Sequence, residues 1–467
     1  MDVPRERRVI LVGTFVGACV LAIAITLLAM RSLGMAIAAW GGIVGLTVLF
    51  ISPFVGLINY LAFLYIRPQD FMPALQGFPI MLILGAGTAA LVFLHDAFRK
   101  HALVLAKAPQ HIFVLWMYVA VVMSQVAMGH IRGAFEATLE IVPTIVMYFL
   151  LVELTTTYAR VRAVFITMTH LSLVLAVQGI IQYFTGAGLG GQESYQGRIQ
   201  AVGIFADPND LALVMNTVLP LTLLIVIQSR NALAKLYYLG ISMVFMYSIY
   251  LTESRGGLLA FAAMMMLLFY RKFGKVIGIP VGAMVMIAVL VLGPRMNTIS
   301  TEDASSYGRL EAWSIAMDLF KGSPLFGIGF QHFMDYHFRT AHNSYLLCVA
   351  ELGIFGLYPW LMMFFVSYRN TRFVEKELLR TGQRDFAMYA YAAHLSLAIF
   401  FLGALLLSRT YHPLLFIMIG LCASITRVYV AGSTERYALL EKRDFAIGLL
   451  ITLGSLVAWE IFLRVLW

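Results

Sequence analysis

Charge is what this 467-residue chain has least of. Only 12% of its residues are Asp, Glu, Lys or Arg, about half the share of an average soluble domain, against 61% hydrophobic residues and a mean hydropathy of +0.85. A soluble globular protein is excluded. The chain also lacks any long polar tract: apolar runs of about 20 residues recur from end to end, so residues 1–467 read as one polytopic membrane domain. Cysteine is scarce, and Cys19, Cys348 and Cys422 lie far apart inside apolar runs, which excludes a disulfide framework and any CxxC metal or redox site. Acidic residues number 24 against 33 Lys and Arg, an excess that in a membrane chain reports loop orientation rather than nucleic-acid binding. No small-residue cleavage pattern follows the apolar run 9–30, which is longer than a signal-peptide core of about 7–15 residues. Behind Arg5, Arg7 and Arg8 it is expected to stay as the first membrane helix.

What is present is a succession of fifteen candidate spans: 9–30, 35–51, 54–66, 79–94, 111–128, 137–154, 163–184, 208–228, 236–252, 256–270, 276–293, 344–368, 387–407, 412–430 and 445–466. Spans 54–66 and 256–270 are short enough to be halves of broken or re-entrant helices. The expected fold is therefore all-α, a polytopic transmembrane helical bundle of about 12–15 spans. Alternating the spans from a cytoplasmic N-terminus puts about two thirds of the 33 cations in inner loops, which supports that orientation. The outer cations, Lys321 apart, are all arginine: Arg31, Arg67, Arg132, Arg198, Arg255, Arg295, Arg309, Arg339, Arg409 and Arg464. A guanidinium fork suits phosphate, whereas arginines at helix ends such as Arg31 and Arg464 simply reach for headgroups.

Polar residues gather in two long outer loops and one hairpin. The first loop, 185–207, carries Arg198 and leads into Asp207-Pro208-Asn209-Asp210, where Asp207 suits an N-cap, Pro208 the first helical position and Asp210 a capping-box acid. The second loop, 294–343, contains an amphipathic helix around 307–320, opened by Arg309 and lying against membrane or protein. His332, His337 and His342 follow at spacings that match zinc ligation poorly. His342, beside Asn343 at the entry of the next helix, is either a cap or a base, since an imidazole can accept a hydroxyl proton at neutral pH. The hairpin Glu253-Ser254-Arg255-Gly256-Gly257 brings an arginine to the membrane boundary, paired with Glu253 or engaged in chemistry. Few ionisable groups fall near span centres, chiefly Glu140, His170, Glu351 and His394, and no internal repeat is visible, which argues against a secondary transporter.

Five segments in order, GRIQAVGIFADPNDLAL (197–213), TESRGG (252–257), GRLEAW (308–313), PLFGIGF (324–330) and AHNSYLLCVAELGIFG (341–356), make the chain resemble the bacterial O-antigen ligase and O-antigen polymerase family, polytopic GT-C-like glycosyltransferases. Resemblance covers roughly 160–370; beyond it only hydropathy is similar. It implies that Arg198 and Arg255 hold the diphosphate of an undecaprenyl-linked glycan donor and that His342 is the catalytic base, with Arg309, Asn209 and Asn343 supporting. It implies a bacterial inner-membrane enzyme working at the periplasmic face, with lipid A-core, a growing polysaccharide or a protein as acceptor, membrane lipids around it and no nucleic acid. Neither long loop carries a DxD-like pair, and the adjacent Glu302 and Asp303 read as solvated surface. Transfer without a metal or cofactor is therefore expected, and it inverts the anomeric carbon if the hydroxyl attacks directly opposite the diphosphate. The ligase reading competes with a polymerase, a protein O-oligosaccharyltransferase, and a non-enzymatic exporter or flippase of lipid-linked glycan.

Overall fold

A computed structural model describes residues 53–72, 75–77, 79–100, 107–292, 304–433 and 439–466. The expected spans 9–30 and 35–51 and Cys19 lie outside the described residues. Among the described residues thirteen helices run in chain order: α1 (Pro53–Ile66), α2 (Ile80–Lys100), α3 (Gln110–Ala127), α4 (Ile131–Leu154), α5 (Tyr158–Thr185), α6 (Pro208–Gln228), α7 (Ala232–Leu251), α8 (Arg255–Leu292), α9 (Ala304–Gly322), α10 (Ser344–Arg380), α11 (Arg384–Ala404), α12 (Pro413–Ala431) and α13 (Lys442–Leu466). Among the described residues there is no strand, only two isolated bridges. The protein is an all-α bundle, and ten of these helices are long and apolar enough to cross a membrane. Helix α1, at 14 residues, is too short to cross unaided and is almost wholly buried, as befits a segment wedged among longer helices.

Local chemistry sets the helix starts. Asp207 caps α6 by accepting the Asn209 N–H at 2.7 Å, with Pro208 at the first position, as expected from sequence. His412 caps α12 in the same way, its Nδ1 accepting the Leu414 N–H at 3.2 Å ahead of Pro413. Burial then sorts the bundle: 89% of the apolar window is buried in α6 and in α10, against 11% in α8 and 17% in α13. The first two form the centre, and the others leave apolar side chains such as Val276 and Leu450 on the surface, where a bilayer would cover them.

Two helices are broken at glycines. In α8, Gly274 takes φ 71°, ψ −176°, and Gly278 and Gly282 press on Tyr270 and Met266, so the second half doubles back along the first. The expected segments 256–270 and 276–293 are thus two arms of one hairpin. The expected single span 344–368 needs correction. Gly353 (φ 63°, ψ −163°) interrupts it, and the rings of Tyr345 and Trp360 lie 4.9 Å apart, whereas a continuous helix would separate them by about 22 Å. The stretch 344–352 is therefore a short arm folded against the long arm 354–380. The PLFGIGF segment fills the break: the N–H groups of Ile328 and Gly329 donate to Ala350 O and Glu351 O, and those of Ile354 and Phe355 donate to Pro324 O and Leu325 O, all at 2.9–3.1 Å. Backbone groups freed by the break are thereby satisfied, without which a broken helix in an apolar bundle is untenable.

A Cβ on Gly353 would lie 2.3 Å from Leu325 O, in a backbone region essentially confined to glycine. Gly353→Ala is expected to cost about 1–3 kcal/mol from backbone strain alone, seen as a lowered thermal unfolding midpoint of the purified protein. An unchanged midpoint would contradict the tight fit.

Candidate active site

Arg198 is placed by the loop that precedes α6. The Gln182 side chain at the end of α5 anchors that loop, donating to Gln192 O and Glu193 O and accepting the Gln200 N–H at 2.8 Å. Tyr195 and Arg198 exchange both backbone hydrogen bonds at 3.0 Å. The guanidinium then lies over the α7–α8 hairpin, only 9% exposed: Nε donates to Thr252 O at 2.8 Å and Nη2 to Asn209 Oδ1 at 3.1 Å. Asn209 Oδ1 also accepts from Ser254 Oγ at 2.7 Å, and Arg255 is the next residue, half-buried at the start of α8. One amide oxygen therefore joins the Arg198 loop, the start of α6 and the Arg255 hairpin, segments separate in sequence. Glu253, in the same hairpin, adopts φ 48°, uncommon for a residue with a side chain.

His342 stands just ahead of the short arm of α10, also in a left-handed conformation with φ 48°. Capping falls to Asn343, not to the imidazole: its Oδ1 accepts the N–H groups of Tyr345 and Leu346, both at 3.0 Å, and its Nδ2 donates to Leu405 O. Burial, and then the positive field of Arg309, push the imidazole pKa down to about 4; Asp207 opposes this, while Arg339 and Arg409 add to it. That Asp207 and Arg309 both act on His342 ties it to the α6 turn and to α9. Helix α9 packs on protein, burying Ala312, Trp313, Ala316 and Met317 against Ala341, Leu346 and Ala350, with Trp313 Nε1 donating to Ala341 O at 2.8 Å. Arg309 is thereby held near the residue it perturbs. The other two histidines of that region go elsewhere: His332 bonds Asp335 at 2.6 Å, and His337 bonds Arg339 O. Among the described residues no three His, Cys, Asp or Glu side chains form a metal-binding group.

Sequence reasoning left Arg409 without a partner and assigned Asp210 to helix capping. The Asp210 carboxylate is instead clasped by the Arg409 guanidinium, Nε to Oδ1 and Nη2 to Oδ2. The loop around Arg409 also holds the His342 segment in place: Arg409 N donates to Ser344 Oγ at 2.7 Å, Thr410 Oγ1 to Ser344 O at 2.8 Å, and Thr340 Oγ1 bonds Ser408 Oγ at 2.8 Å. His412 Nε2 meets Ile204 O at 3.1 Å, closing the ring back to the Arg198 loop. The available signal was an arginine in the four-residue break 408–411 between two apolar runs.

Residues 215–361 match a family model described as O-antigen ligase. Over that segment the chain is similar to the O-antigen ligase family. The matched segment contains Arg255, Arg309, His342 and the break in α10 at Gly353, while Arg198 and Asn209 lie just ahead of it. No curated protein matches the chain. A multi-pass membrane protein with ligase-type or polymerase-type glycosyltransferase function is the coarse reading this supports for an O-antigen ligase segment.

Removing Arg409 would leave Asp210, 4% exposed, as an unpaired buried charge. Arg409→Ala is expected to destabilise by on the order of 3 kcal/mol, and the Asp210→Ala/Arg409→Ala double variant by clearly less. Thermal unfolding of the three proteins checks this, and a double variant no better than the single would show that the pair is not what matters.

Proposed function

We propose that the protein is a glycosyltransferase of a bacterial inner membrane that moves a glycan from undecaprenyl diphosphate to a sugar hydroxyl of lipid A-core at the periplasmic face. The observation that carries this is the gathering of a buried arginine, the Arg255 hairpin and an imidazole around the start of one helix. Arg198 and Arg255 bind the diphosphate, Arg309 adds positive field, and Asn209 orients Arg198 and Ser254 through its shared oxygen. In the reaction the acceptor oxygen bonds to the anomeric carbon as the carbon–oxygen bond to diphosphate breaks. The electron pair departs on the diphosphate oxygen, where guanidinium groups stabilise it, and the hydroxyl proton passes to His342. Attack opposite the leaving group inverts that carbon. Asn343, by capping the short arm of α10, keeps the imidazole out of the capping role and available.

Electrostatics couples the two halves of this site. Burial and the positive field of Arg309, Arg339 and Arg409, opposed by Asp207, leave His342 neutral but a weak base. A diphosphate held by Arg198 and Arg255 brings negative charge to the same end of the bundle and raises the imidazole pKa, so donor binding strengthens the base.

Purified protein given one lipid-linked donor and, separately, lipid A-core, a lipid-linked glycan or a protein acceptor would show by product mass which is extended. Lipid A-core is expected, and His342→Ala is expected to lower kcat by at least a hundredfold. Full transfer by that variant would remove His342 as the base, whereas no product from the unaltered protein with any acceptor would favour an exporter instead. Because His342 must be neutral to accept the proton, kcat/KM, which reports the free enzyme, is expected to fall only as pH drops through about 4. The acid limb of kcat, which reports the donor complex, is expected at higher pH. Coincident limbs near pH 6.5 would contradict the coupling.

A further inference from the structure

A polar cleft of about 700 Å³ has none of Arg198, Arg255 and His342 among its lining residues; its polar lining includes Gln125, His130, Arg132, Glu136, Glu140, Gln331 and His332. It lies where α3 gives way to α4, beside the segment that braces the α10 break: Phe330 N donates to Ser124 Oγ, and Gln125 Nε2 donates to Phe330 O. The first turns of α4 carry two neighbouring stripes. Ile131, Phe135 and Leu139 are 67%, 65% and 53% exposed, an apolar edge suited to lipid, and one residue further on Arg132, Glu136 and Glu140 form a polar edge on the cleft.

The lining is dense in hydrogen-bonding groups. Gln331, held at φ 62°, donates to Glu140 Oε1 at 2.6 Å, and the rings of His130 and His332 lie 4.8 Å apart. Gln125 is 3% exposed, yet its Oε1 has no partner among the described residues, an expensive state for a buried acceptor. A Cβ on Gly133 would sit 2.7 Å from that oxygen, so glycine there keeps the space beside it open. Arg132 pairs with Glu136 at 2.8 Å, which leaves the Glu140 carboxylate to disfavour an anion; the charges disfavour an apolar ligand, and among the described residues no three ligating groups converge for a cation. A neutral ligand rich in hydroxyls fits: donors for the carboxylates, acceptors for the amide, guanidinium and imidazole groups, with the apolar stripe available to its membrane anchor.

We propose that this cleft is a saccharide subsite that holds a sugar of a lipid-anchored glycan. It rests on the transferase reading for which glycan is bound, though not for whether a sugar binds. The test uses full-length His342→Ala protein in nanodiscs, with saturation-transfer NMR to the reducing oligosaccharide released by mild acid from the host's undecaprenyl-linked glycan. A clear signal is expected, falling at least fivefold in Glu140→Ala/Gln331→Ala. Glu136→Gln, at an exposed position, is a milder check on the same result in case the double variant unfolds. In the His342-containing enzyme these changes are expected to raise KM for the glycan about tenfold with kcat held within twofold. Undiminished binding in both variants, or an unchanged KM in an active enzyme, overturns the subsite and leaves the transferase standing. Oligosaccharide binding in a protein that transfers nothing does the reverse.

Discussion

At Gly353 the helix beginning with Ser344 ceases to satisfy its own backbone, and amides and carbonyls of 324–329 close the gap from outside. Everything near His342 depends on that exchange. A continuous α10 would bury its first turns in register with the long arm; the fold-back instead sets Tyr345 against Trp360 and leaves a separate helix start, capped by Asn343. In an apolar bundle with little water to hydrogen-bond stray peptide groups, such a break survives only when another segment supplies every lost partner. Gly327 and Gly353 are required there because each backbone approaches the other too closely for a side chain.

Charge follows the same economy. Asp210 can be buried at the start of α6 because Arg409 engages both of its oxygens, and Arg198 can be buried because Thr252 O and Asn209 Oδ1 receive its N–H groups. These contacts do more than neutralise. They draw the loop before α6, the α7–α8 hairpin and the loop after α11 to one end of the bundle, where Asp207, Arg309 and Arg409 all act on His342. The resulting arrangement suits a reaction in which negative charge is delivered and a proton is removed.

Much of this was legible in the linear chain. Hydropathy marked each of the ten helices able to cross a membrane, since length and apolarity are local properties, and the DPND turn announced the start of α6 through its cap and proline. Arg198, Arg255, Arg309 and His342 stood out because arginine and histidine in glycine-rich polar segments of so apolar a chain lack an ordinary packing purpose. Asn343 was noticed for its neighbour, and its capping role came only with the coordinates. Asp210 was misread because a capping-box position explained it adequately from local sequence alone.

By itself, then, the amino-acid order determined an all-α membrane bundle, its helix starts and the residue types available for phosphate and proton chemistry, because those depend on neighbours within a few turns. Tertiary structure alone decided that α10 folds back at Gly353, that Arg409 reaches Asp210 across 199 positions, and that Asn209 joins Arg198 to the hairpin 45 residues further on. The physical reason is that a buried charge or an unpaired amide accepts a partner from anywhere in the chain, and which one arrives is settled by how the helices pack.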